Sequence, residues 1–249
     1  MAKKTLLEIT QDILNDTDGD PVNSINDSTE SIQIVQLLHT VYEELMASAD
    51  WPHLMTTITL TASGTSSRPT HMSIPDGIQK MLWVKYDKHT SSDTDVKYQD
   101  VTYKEPEEFL NILNGRVESN SNVTKITDPS GIYLLIQTDT APTYWTSFDD
   151  ETIVFDSYDS DVDSTLQSSK TQARVIKETT WTVSDTFVPD MPSKYFPLLI
   201  SEAKSTYFNS VIQNPNAKEE QKSRRQRAHL SKEKWRTAGG IKFPNYGRK

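Results

Sequence analysis

Hydrophobic positions along this chain change period twice, and the changes divide it into three stretches. Leu6, Ile9 and Ile13 recur at helical spacing and predict a first helix near residues 4–15. The segment "NDTDGDPVNSIND" interrupts it with Gly19 and Pro21. Ser28 caps a second helix, in which Ile34, Leu38, Val41 and Leu45 draw one apolar stripe as far as Ala49. From Trp51 the period drops to two, and Leu54, Thr56, Ile58 and Leu60 alternate as in a half-buried strand. "GTSSRPTHMSIPDG" reads as a loop, "KMLWVKY" (80–86) as a buried strand and "VKYQDVTY" (96–103) as an alternating one. Pro106 opens a short helix, "PEEFLNIL", with Glu107 and Glu108 in the first turn, where the helix dipole favours acids. "VTKITDPSGIYLLIQ" reads as a hairpin turning at Asp128-Pro129-Ser130-Gly131. "ETIVFDSY" and the second half of "TLQSSKTQARVIKET" read as strands.

The helical period returns after Pro189 and Pro192. Phe196, Leu199, Ala203, Tyr207 and Val211 mark an amphipathic helix to about Gln213, and Asn214-Pro215 forms a hinge. "NAKEEQKSRRQRAHLSKEKWRTAGG" follows, a helix with almost no apolar stripe beyond Ala217, Ala228, Leu230 and Trp235. A helix polar on nearly every side is not held by a core of its own. "IKFPNYGRK" is an extended tail with three large apolar side chains, Ile241, Phe243 and Tyr246. The order predicts an α+β fold. N- and C-terminal helices (1–50 and 191–238) form a helical bundle, 51–190 is a β-rich inserted domain, and 239–249 is an extended C-terminal tail.

Charge sharpens the contrast between the ends. Residues 215–249 hold eleven Lys or Arg against three Glu, a local net charge of +8. The other 214 residues hold 15 basic and 32 acidic groups, a net charge of −17. Such polarity points to a partner for the basic end, either nucleic acid or an acidic protein surface. With no cysteine, disulfides, thiol nucleophiles and cysteine zinc sites drop out together. No apolar run reaches the roughly 18 residues of a membrane span, and the N-terminus lacks the apolar core of a secretory signal.

Catalytic patterns are sparse. The five histidines, at 39, 53, 71, 89 and 229, are scattered without paired metal-ligand spacing. His39 lies among apolar residues and reads as a packed or interface histidine. No nucleophile elbow and no phosphate-cradling glycine loop occurs. Asp16, Asp18 and Asp20 alternate like calcium ligands, as do Asp159, Asp161 and Asp163, but neither run has the glycine and glutamate that an EF-hand loop requires. Asp149, Asp150 and Glu151 would suit glycoside chemistry if they faced each other across a cleft with Tyr144, Trp145 and Phe148 in its wall. Three adjacent acids between two strands read more naturally as a hairpin turn in water. The expectation is therefore no catalytic residue, no cofactor and no metal.

Several phrases carry a resemblance: "DWPHL" (50–54), "RPTHM" (68–72), "PTYWTSFDDE" (142–151), "VFDSYDS" (154–160), "STLQSSKTQ" (164–172), "EAKSTYF" (202–208), "QKSRRQR" (221–227) and "PNYGR" (244–248). In these phrases and in layout the chain resembles the head-to-tail adaptor proteins of short-tailed bacteriophages, the connector or tail tubular A-like family. The resemblance implies a structural virion protein, made in the host cytoplasm and placed at the head–tail junction, without a membrane partner. It implies a homo-oligomeric ring of twelve copies beneath the portal protein, which seals the DNA channel and carries the tail nozzle or fibre proteins. Genomic DNA would pass through without specific binding, along an acidic wall that repels it. The basic helix and tail would dock on the portal through Arg224, Arg225, Arg227, Trp235, Phe243 and Tyr246, since arginine and aromatic groups dominate such interfaces. Two rivals stand beside this reading. One is a peptidoglycan-degrading tail component using Asp149, Asp150 and Glu151. The other is a DNA-binding module using 218–236, although "KSRRQR" has no interleaved aromatics on which bases could stack.

Overall fold

The computed structural model describes residues 3–17, 19–63, 65–89, 95–160, 170–213 and 216–232. The chain divides into two compact units, one made of 1–54 with 179–249 and the other of 55–178. The expected class, a helical bundle with a β-rich insertion, is not what the structure shows. It is a mixed α/β fold with a large curled sheet of eight strands and five helices, and only 34% of it is helical. The physical reason lies in where apolar side chains are buried. The last helix buries none among its described residues, so it cannot complete a bundle core, and another helix belongs to the sheet.

In the first unit, α1 (Leu6–Asp16) and α2 (Thr29–Ala47) start at reciprocal caps. Thr5 Oγ1 accepts from the Glu8 amide at 3.2 Å, while Glu8 Oε2 accepts from the Thr5 amide at 2.8 Å. Ser28 and Ser31 do the same for α2. The stripes Leu6, Ile9 and Ile13 of α1 and Ile34, Leu38, Val41 and Leu45 of α2 are buried, together with Phe196, Leu199, Ala203 and Tyr207 of α4 (Phe196–Ser210). Trp51 closes the C-terminal end of α2, its Nε1 donating to the carbonyls of Leu45 and Met46 at 3.1 Å. The Tyr42 hydroxyl donates to the Asp190 carbonyl at 3.3 Å, and burial, with the nearby Asp190 charge, pushes its pKa to about 12. Lys204 of α4, mostly buried, pairs with Asp16 at the end of α1. α5 (Ala217–Lys232) completes this unit.

The second unit is built on one sheet. Its strands are β1 (Met55–Ile58), β2 (Thr61–Ala62), β3 (His71–Ser73), β4 (Ile78–Asp87), β5 (Tyr98–Tyr103), β8 (Tyr144–Ser147), β9 (Thr152–Phe155) and β10 (Thr171–Lys177). The order is β1-β10-β4-β5-β8-β9-β3-β2. All neighbours are antiparallel except β5 and β8. The outermost strands, β1 and β2, are two halves of one stretch, 55–62, so the sheet curls until a single piece of chain serves both margins. At the bend between them Leu60 is fully buried, and its amide donates to Thr171 Oγ1 at 2.9 Å. The threonine hydroxyl thus satisfies a backbone group that leaves the ladder. Inside the curl lie Leu60, Met72, Val84, Tyr86, Val101, Trp145, Ile153, Phe155, Ala173 and Val175.

A second core sits on the outside of β9. The hairpin β6 (Val123–Thr127) and β7 (Tyr133–Gln137) and the helix α3 (Pro106–Asn114) enclose Phe109, Leu113, Ile126, Leu134 and Ile136 against Val154. Val154 points away from Ile153 and Phe155 because strand neighbours face opposite sides. Two polar joints fasten this layer. Arg116, just past α3, donates to the Leu135 carbonyl at 3.0 Å, to the Asp156 carbonyl, and to Asp156 Oδ2 at 2.8 Å. Asp156 Oδ1 in turn accepts from the Thr143 and Tyr144 amides at 2.9 and 2.8 Å. At the other end, His71 Nε2 lies 2.9 Å from Asp128 Oδ1, joining β3 to the hairpin turn. In that turn Gly131 has φ +86, which a side chain would strain.

Both joints give predictions. Asp156 keeps only 4% of its side chain exposed. Arg116→Ala strands that carboxylate and should cost about 3 kcal/mol of the stability of this unit, read from urea denaturation. Burial holds the His71 imidazole below its ordinary value against the opposing pull of Asp128. Burial also works to raise the Asp128 carboxyl, but hydrogen bonds from Ser130 and His71 outweigh it and hold that group below its ordinary value. The unfolded chain therefore takes up the histidine proton at a higher pH than the folded one. The His71 contribution is complete above about pH 6.5 and is lost as the pH falls through the lower folded value. The Asp128 contribution is lost later, as the pH falls below about 4. Urea midpoints should fall between pH 7 and 5, and His71→Gln should flatten that slope.

Candidate interaction surface on the basic helix

α5 (Ala217–Lys232) starts where it does because Asn216 caps it. Asn216 Oδ1 accepts from the Lys218 and Glu219 amides at 3.2 and 3.4 Å, and Glu219 and Glu220 occupy the first turn. The chain turns back from α4 through Gln213, whose φ is +55, so α5 returns alongside α4. The hydrogen bonds between the two helices converge on Glu202. Glu202 of α4 receives the Ser223 hydroxyl and the Arg227 guanidinium, the latter at 2.5 Å. Ser223 is 4% exposed and Gln226 Oε1 is buried without a hydrogen-bond partner. A cleft of about 350 Å³ opens between the helices, lined by Glu202, Thr206 and Asn209 on one side and Glu220, Arg224 and Arg227 on the other.

The expected portal-binding residues separate into two groups. Arg224, Arg225 and Arg227 lie on α5 and are exposed. Arg224 pairs with Glu220 one turn back and Arg227 with Glu202, so two of the three charges are already engaged in this chain. Arg225 meets no carboxylate among the described residues and is the one most open to a partner. Trp235, Phe243 and Tyr246 lie outside the described residues. Glu202 and Ser223, which seat the helix, were not among the expected residues. The signal for them was a polar stripe on α4 at 202, 205, 206 and 209, the i, i+3, i+4, i+7 positions opposite the apolar stripe.

The acidic candidates form a turn. Asp149 Oδ1 accepts from the Glu151 and Thr152 amides at 3.0 and 2.8 Å, and Asp150 takes φ +61, both marks of a tight connection between β8 and β9. All three acids are exposed and follow one another around the tip, so they do not face each other across a cleft. His39 stacks on Trp181 with ring centroids 4.8 Å apart, within an aromatic group that includes Tyr42 and Phe187. Among the described residues no group of three or more His, Asp and Glu side chains is placed to hold a metal ion. No protein-family model matches the chain, and no curated protein matches it.

The polar seat of α5 makes a direct prediction. Glu202→Ala removes the acceptor shared by Ser223 and Arg227. Because Arg227 is half exposed, the loss should be on the order of 1 kcal/mol of local stability, seen as faster amide hydrogen exchange across α5 with α4 unchanged.

Proposed function

We propose that this chain is a structural virion protein, a head-to-tail adaptor that forms a ring beneath a portal and carries the tail nozzle or fibres. The observation that supports this reading is the seat of α5. A helix at the start of a +8 segment buries no apolar side chain among its described residues and is held to α4 by hydrogen bonds from Ser223 and Arg227 to Glu202. Such a helix gains more from a partner than from its own fold, which suits an element that docks on another chain. The exposed Arg225, with Arg224 and Arg227 beside it, supplies the charge. Trp235, Phe243 and Tyr246 supply the apolar groups that such an interface needs at its centre. Repetition around a ring then offsets the ordering entropy of each docked end. The acidic body suits a wall along which DNA slides, because it repels phosphates.

The test is binding to purified portal rings. The chain lacking 215–249 should lose portal binding while the circular dichroism of the remaining fold is kept. Undiminished binding by the shortened chain would refute the docking role. Negative-stain images of the full chain with its portal should show a ring of added density below the portal.

A further inference from the structure

The outer surface of the sheet in 55–178 is covered over one half and bare over the other. α3 and the β6–β7 hairpin cover β9. Outward positions of β1, β10, β4 and β5 are open or half-open to solvent instead, apart from the buried Ile176 and Asp87. There the register sets Thr57 beside Arg174 and Arg174 beside Trp83. The adjacent row runs Gln172, Lys85, Asp100. Trp83 is 37% exposed, and Lys85 Nζ stands 5.4 Å from its ring centroid. Arg174 donates to Thr57 Oγ1 at 3.2 Å and meets no carboxylate among the described residues. Lys177, at the exposed end of β10, meets none either. Asp87 of β4 is buried and β1 and β10 have no acid, while β5 contributes the exposed Asp100, which pairs with Lys85 at 3.2 Å. Arg174 and Lys177 thus leave surplus positive charge beside Trp83, on a unit that carries 11 basic and 19 acidic residues.

The opposite charge stands elsewhere on the same unit. β9 is four places from β10 in the strand order, and the turn leading into it presents Asp150 and Glu151. Both are exposed, and neither meets a cation among the described residues. Asp149 is occupied in capping the turn.

We infer that the Trp83–Lys85–Arg174 face docks on the Asp150–Glu151 turn of a second copy of this chain. The two surfaces are different parts of one molecule, so the contact is head-to-tail. Repeated, it produces a ring wherever the rotation between copies closes. Tryptophan and arginine, central on such a face, supply the largest share of interface energy, and the acids supply register. A polyanion such as nucleic acid fits less well, because the surrounding acidic unit repels an extended strand while a two-acid tip meets only the basic face. The inference takes its setting from the ring reading above, yet the two fail separately.

Equal amounts of unlabelled and heavy-nitrogen-labelled full-length protein are mixed and coupled with a zero-length carbodiimide. Mass spectrometry should find mixed-isotope peptide pairs joining Lys85 or Lys177 to Asp150 or Glu151. In sedimentation, Lys85→Glu with Arg174→Glu should weaken self-association by about tenfold or more. Asp150→Asn with Glu151→Lys should do the same, asparagine keeping the left-handed backbone. Mixing the two charge-reversed chains should restore association. Cross-links confined to other sites, association indifferent to both variants, or a chain monomeric at every concentration would overturn the inference. So would salt-dependent binding of a single-stranded oligonucleotide that needs Lys85 and Arg174, in a chain that does not self-associate. Portal capture through 215–249 by a protein whose face couples to nothing sinks this inference and leaves the docking role standing. Mixed cross-links in a protein that ignores the portal do the reverse.

Discussion

The constraint on which the β-rich unit depends is the use of one stretch, 55–62, for both margins of its sheet. An open sheet of this width would present two long rows of unpaired amides and carbonyls, a template for association along the strands. Here the margins are only four and two residues long, and they are tied together through Leu60. The bend survives because Leu60 is buried in the curl while the Thr171 hydroxyl takes up its amide. Curling also sorts the side chains. Apolar groups go inside, and the outside is left for other elements, solvent or other chains.

The Arg116–Asp156 joint builds on that frame. A buried carboxylate is tolerated only when its oxygens are satisfied, and Asp156 meets this through two amides and a guanidinium. The same group fixes the start of β8, the end of β9 and Arg116, two residues past α3. The outer layer is therefore positioned by polar geometry as well as by its small apolar core. On the other half of the sheet Trp83 and Arg174 stay partly open to another surface.

Much of the secondary structure was legible because period and breakers agree locally. The stripes of α1, α2 and α4, the Pro106 start of α3 and the Asp128–Gly131 turn all rest on short-range chemistry. The three-residue β3 was hidden inside what reads as a loop, because "THMS" is too short to show alternation and pairs only with distant partners. The class was misjudged for a related reason. Helices at both ends suggest a bundle, but the burial that decides the class is set by long-range strand pairing, and α5 brings no apolar face to a bundle. For the basic helix, sequence exposed the charge and the missing stripe. Its seat was not visible, because Glu202 meets Ser223 and Arg227 only once the chain has doubled back at Gln213. Likewise the Trp83 face depends on a register between β4 and β10 that local patterns do not encode.

The seat of α5 has one more consequence. When an amphipathic helix lifts from its neighbour, it bares a greasy scar that invites clumping and must be hidden quickly. A helix latched by a hydroxyl and a guanidinium to one carboxylate bares no greasy patch of its own described residues. The Arg227–Glu202 pair in this seat is open enough to solvent for salt to weaken it.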